Sequence, residues 1–84
     1  MAKMSREAMM QEIINAIYDC QPELEGTEIK ENTNINTELG IDSMGMIMII
    51  TRLEANFDTN IPQDEWDDLS TLSDVIDAFE KRMA

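Results

Sequence analysis

The feature that narrows the possible folds most sharply is the apolar series Met46, Ile49, Ile50, Leu53 and Phe57. On an α-helix these positions share one stripe, whereas on a strand they would scatter over both faces. A helix from about Ser43 to Phe57 is therefore predicted, with Asp42 as its N-cap, accepting from the unpaired N–H groups of the first turn. The same period returns at both ends of the chain. Met10, Ile13, Ile14 and Ile17 lie opposite Glu7, Gln11, Glu12, Asn15 and Asp19, which predicts a first helix over roughly Ser5 to Cys20. Thr71 and Asp74 have the spacing of a capping box ahead of Leu72, Val75, Ile76, Phe79 and Met83, and Lys81 and Arg82 suit the negative end of that last helix. Before it, Pro62 can open a short third helix that carries Trp66 and ends near Leu69.

A helix with one apolar stripe must bury that stripe, and several such helices bury them together as a bundle. The expected fold class is all-α: a small four-helix bundle of three longer helices plus a short third one, with a long first loop. No segment has a convincing strand pattern. With 84 residues, one core is all the chain can support, so residues 1–84 are read as a single domain. The first loop, Gln21 to Ile41, loses the helical period at Pro22, Gly26, Gly40 and the Asn- and Thr-rich stretch from Asn32 to Thr37. Ile29, Ile35 and Leu39 are expected to pin it. A connection of this length is usually either functional or held down by inserted apolar side chains.

Composition excludes several classes of function. Eighteen acidic against six basic residues give a net charge of −12, which disfavours nucleic acid and anionic membrane surfaces as partners. With no histidine and one cysteine, Cys20, the chain has neither a Cys/His nucleophile pair nor the ligands of a zinc site, and it cannot form an internal disulfide. Asp58-Thr59-Asn60-Ile61-Pro62 lacks the glycine and spaced glutamate of an EF-hand loop, so no metal site is assigned. No eighteen consecutive apolar residues exist to span a bilayer, and Glu7, Gln11 and Glu12 interrupt the apolar stretch nearest the N-terminus. The expectation is a cytoplasmic monomer.

Function then rests on what the second helix leaves unburied. Met44, Ile47, Met48 and Thr51 fall outside its inward stripe and make a candidate docking face, methionine being adaptable to more than one partner. Asp58, Asp64, Glu65, Asp67 and Asp68 crowd the turn and short third helix, where they would steer basic surfaces. Ser43 sits at a helix N-terminus, where an attached phosphate would be favoured, although on these residues alone capping by itself explains an Asp-Ser pair. Met46 and Met83, read as inward, are either core filler or residues able to repack around an apolar chain.

Leu39-Gly40-Ile41-Asp42-Ser43-Met44, followed at the right separation by Phe57-Asp58-Thr59-Asn60-Ile61-Pro62, strongly resembles the acyl carrier proteins. The resemblance spans essentially the whole chain. It implies that Ser43, with Asp42 as its motif neighbour, receives 4′-phosphopantetheine from coenzyme A through a phosphopantetheinyl transferase. Acyl intermediates would ride as thioesters on the arm's thiol to fatty acid or polyketide-type synthase enzymes with basic docking patches. Such a protein is not an enzyme, and the cofactor supplies the reactive sulfur. The chain departs from the family at the exposed side of the second helix, which offers only Glu54, with Met48 where an acid is common and Gly45 just after the motif. The first loop is also slightly lengthened around Pro22 to Gly26. Two alternatives stay open: an aminoacyl or peptidyl carrier of a specialised pathway, and an unmodified acidic adaptor that uses Asp42 and Ser43 only as a cap.

Overall fold

A computed structural model describes residues 5–83. Helix α1 spans Arg6–Cys20, α2 spans Ser43–Phe57 and α3 spans Leu72–Met83, with 3₁₀ segments at Pro22–Leu24 and Gln63–Asp68. The third helix of the expected bundle is thus a 3₁₀ helix, and Pro62 precedes it as the N-cap residue instead of occupying its first turn. The turn at Pro22–Leu24 adds an element where only a loop was expected.

Each long helix begins with a side-chain cap. Ser5 precedes α1 and its hydroxyl accepts from the Ala8 N–H at 3.1 Å. The Gly45 N–H donates to the Asp42 carboxylate at 2.9 Å, so α2 starts as its sequence predicts. At α3 the capping box is reciprocal: the Asp74 N–H donates to the Thr71 hydroxyl, and the Asp74 carboxylate accepts from the Ser70 and Thr71 N–H groups at 3.0 Å. Helix α2 ends at Asp58, whose left-handed backbone (φ 51°) returns its N–H to the Glu54 carbonyl. Arg82 donates to the Ala78 carbonyl in the last turn of α3, as a cation at that end should.

The core lies where the three long helices meet. Ile13, Ile17, Ile49, Ile50, Leu53, Leu72, Val75, Ile76 and Phe79 are fully buried, each worth roughly 1.5–3 kcal/mol if the larger side chains are taken from water. Phe57 meets Phe79 edge to face, with ring centroids 5.0 Å apart. The α1 stripe is rotated from the expected one: Met9 and Ala16 are buried with Ile13 and Ile17, while Met10 and Ile14 are only half-buried. Met83, expected inward, is also half-buried.

The first loop is tied down along its length. Ile29, Ile35 and Ile41 are buried, and Leu39 packs partly against the core. The Ile35 N–H donates to the Ser70 carbonyl at 2.7 Å beside an isolated bridge between Asn34 and Thr71, and the Ser73 N–H donates to the Glu31 carbonyl. Arg6 clamps the same region: its guanidinium donates to Glu31 and Asp77 at 2.8 Å and also reaches Glu80 and Ser73. These bonds, to Glu31 first and Asp77 next, raise its pKa above the ordinary arginine value. Among the described residues, no helix is long and apolar enough to cross a membrane.

Candidate functional site

The site gathers at the N-terminus of α2. Gly40 turns the chain with a positive φ of 69°, which leaves Ile41 buried beneath the helix and Asp42 and Ser43 exposed at its tip. Ile41 is held from both sides, its N–H donating to the Ile35 carbonyl and its carbonyl accepting from the Asn36 side-chain amide at 2.9 Å. Its packing also explains a departure seen in the sequence. A Cβ at position 45 would come within 2.6 Å of the Ile41 Cγ2, so glycine is what lets Ile41 lie this close to the first turn.

Asp42 supplies the capping oxygen. The Ser43 hydroxyl is therefore not needed to start the helix, and it stands exposed at the positively polarised end of a fifteen-residue α2. A phosphate ester at this oxygen meets favourable potential and unpaired backbone N–H groups.

Beside Ser43 opens a cavity of about 710 Å³ between α2 and the Gln63–Asp68 segment. Asn36, Asp42, Gln63 and Asp67 contribute polar lining, and Met46, Ile47, Ile50, Trp66 and Leu69 give it apolar walls. Trp66 is fixed there by donation from its indole N–H to the Ile61 carbonyl at 3.0 Å. Met46 thus borders the cavity, whereas Met83 does not. Asn36, Gln63 and Trp66 were not singled out by sequence reasoning as cavity residues, because the fold of the first loop brings Asn36 there and the placement of Gln63–Asp68 brings the other two.

The other sequence-predicted residues divide into free and engaged groups. Met44, Ile47 and Met48 are 70%, 43% and 53% exposed and make the outward apolar face that their helical positions predict. Asp64, Asp67 and Asp68 are exposed on the 3₁₀ segment. Glu65 is half-buried and paired with Arg82, so it fastens this segment to α3 instead of facing outward with its neighbours. Glu54, the one acid expected on the exposed side of α2, is also engaged, accepting from the Ile61 N–H at 2.8 Å.

This geometry coincides with similarity to known proteins. The family model described as "Phosphopantetheine attachment site" matches residues 11–79. A protein of Amoebophilus asiaticus (strain 5a2) named "Acyl carrier protein" is 31% identical over 74 residues, covering 88% of this chain and 91% of that protein. Another of the same name, from Prochlorococcus marinus (strain MIT 9515), is 28% identical over 79 residues, covering 94% and 98%.

Proposed function

The chain belongs to the phosphopantetheine-attachment family of acyl carrier proteins, and from that premise we propose that Ser43 bears its arm. Members of the family carry 4′-phosphopantetheine covalently and act as carriers, not catalysts. The group's thiol provides the thioester chemistry; the protein provides an anchoring oxygen, shelter and recognition. The observation that carries the assignment is the exposed Ser43 hydroxyl, freed from capping by Asp42 and adjoining a cavity with apolar walls.

Each part of the site takes a role. Ser43 Oγ holds the arm through a phosphodiester at a helix end that favours negative charge. Met46, Trp66 and Leu69 offer the near end of an acyl chain an apolar surface. Asp64, Asp67 and Asp68 attract the basic docking patches of fatty acid or polyketide-type synthase enzymes, and Met44, Ile47 and Met48 supply apolar contact. This work is done in the cytoplasm by one carrier domain acting as a monomer.

Incubating the purified chain with coenzyme A and a phosphopantetheinyl transferase, then measuring its intact mass, tests the assignment. The expected result is addition of one phosphopantetheine that Ser43→Ala abolishes, while the variant keeps its fold. No mass gain overturns it and leaves an unmodified acidic adaptor as the better reading, whereas a gain that persists in Ser43→Ala overturns Ser43 as the attachment residue.

A further inference from the structure

The segment that forms one wall of the cavity beside Ser43 is fixed at its ends and lightly held between them. Ile61 and Leu69 are both buried. The Ile61 N–H donates to the Glu54 carboxylate on α2, and the Ser70 carbonyl accepts from the Ile35 N–H. None of the six residues from Gln63 to Asp68 is buried, and the one apolar side chain among them, Trp66, is only half-buried against the core. A 3₁₀ segment has poorer internal hydrogen bonds than an α-helix, so it adds little stiffness of its own. It is a strap between two fixed points, and its Gln63, Trp66 and Asp67 line the cavity.

The charge on the strap works against its staying closed. Asp64, Glu65, Asp67 and Asp68 crowd four carboxylates into one turn, and like charges at that spacing repel. Among the described residues one cation pairs with them, Arg82 with Glu65. That pair is also the strap's one side-chain bond to another helix among the described residues, since Trp66 donates nearby, to the Ile61 carbonyl. Arg82 is half-buried and donates to the Ala78 carbonyl as well, so its guanidinium is already held in place for Glu65. Neither Glu65 nor Arg82 lines the cavity, so both act through the strap. Resting on the assignment of Ser43, we infer that the Glu65–Arg82 pair is a latch that holds the strap over the cavity and so controls how well an acyl chain carried from Ser43 is sheltered. With the pair made, Trp66 closes the apolar wall. With it broken, the strap swings about Ile61 and Leu69 while the core between the long helices stays packed.

Hydrogen exchange followed by NMR on the unmodified chain reads the latch without reliance on Ser43. In the wild type, the Trp66 indole N–H and the Leu69 N–H, which donates to the Trp66 carbonyl, should exchange through a local opening of lower free energy than the one that exposes Leu53, and insensitive to dilute urea. Arg82→Gln and Glu65→Ala should each speed both strap protons about tenfold, the scale of one lost charge-assisted bond, and leave the Gly45 N–H at the α2 cap unchanged. Because the two residues act as a pair, the double variant should exchange no faster than the faster single one. The variants are then converted at Ser43 with octanoyl-coenzyme A and a phosphopantetheinyl transferase. They should lose the octanoyl group to hydroxylamine several-fold faster than the loaded wild type, as intact mass records. Strap protons that exchange only with Leu53, variants that leave their rates unchanged, or equal loss of the octanoyl group overturns the latch. A wild-type chain that does not load at Ser43 counts against that assignment instead, and the latch then stands or falls on the exchange rates.

Discussion

Gly45→Ala separates two opposing effects of known size. Alanine in place of glycine within a helix is worth up to about 1 kcal/mol, and less than that in the first turn where position 45 lies. Against this, the new Cβ would lie 2.6 Å from the Ile41 Cγ2, where ordinary van der Waals contact begins at 3.4 Å. Relief is difficult because the obstructing methyl is on the β-carbon of a branched residue that is 3% exposed and hydrogen-bonded through its backbone at both N–H and carbonyl. Overpacking of this kind costs about 1–3 kcal/mol. The net expectation is a loss of about 1 kcal/mol, which in a domain of this size lowers the melting temperature by roughly 4–8 °C. Calorimetry on the wild type and the variant measures that shift. A double-mutant cycle with Ile41→Ala then identifies the cause: once the methyl is gone, the glycine substitution should become neutral or stabilising, a coupling of about 1 kcal/mol or more between neighbours. An unchanged or higher melting temperature for Gly45→Ala alone, or the same loss in both backgrounds, would refute the steric explanation.

Two further outcomes follow from the caps and the clamp. Asp74→Ala leaves the Ser70 and Thr71 N–H groups without their acceptor and should cost about 1–2 kcal/mol in urea denaturation; a loss below a few tenths would mean that water replaces the carboxylate without penalty. Arg6→Gln should lower the melting temperature by the same amount at about pH 6 and about pH 9, measured by circular dichroism. Glu31 and then Asp77 raise the guanidinium pKa, and a raised basic pKa stabilises fully below its unfolded value, the benefit fading only as pH climbs through the folded one, far into alkali. A wild-type advantage that halves across that range would contradict the assignment.

Sequence made α2 and α3 legible because their signals are local. Asp42, Thr71 and Asp74 cap within four residues of their targets, the apolar stripe of α3 is narrow, and the Met46-to-Phe57 spacing orients α2 although Met44, Ile47 and Met48 extend its apolar character to the outer face. Helix α1 was harder to orient, since Met9, Met10, Ile13, Ile14 and Ile17 form a broad apolar face and the small side chain of Ala16 weighs little in a pattern although it lies at the buried centre. What stayed hidden depends on residues far apart in the chain. Nothing near Glu65 announces Arg82, and nothing near Asn34 announces Thr71. Ile41 belongs to the motif that identifies the family, but its burial and the reason for Gly45 emerge only when the loop folds beneath α2.

The division of labour between Asp42 and Ser43 has a consequence for the working life of the molecule. Because the bond that starts α2 belongs to the neighbouring residue, the arm proposed for Ser43 could be attached, charged at its own terminal thiol and removed without breaking the contact that caps the helix. Bare, armed and laden forms can then interconvert as successive chemical states of a single chassis, with no refolding step between one client and the next.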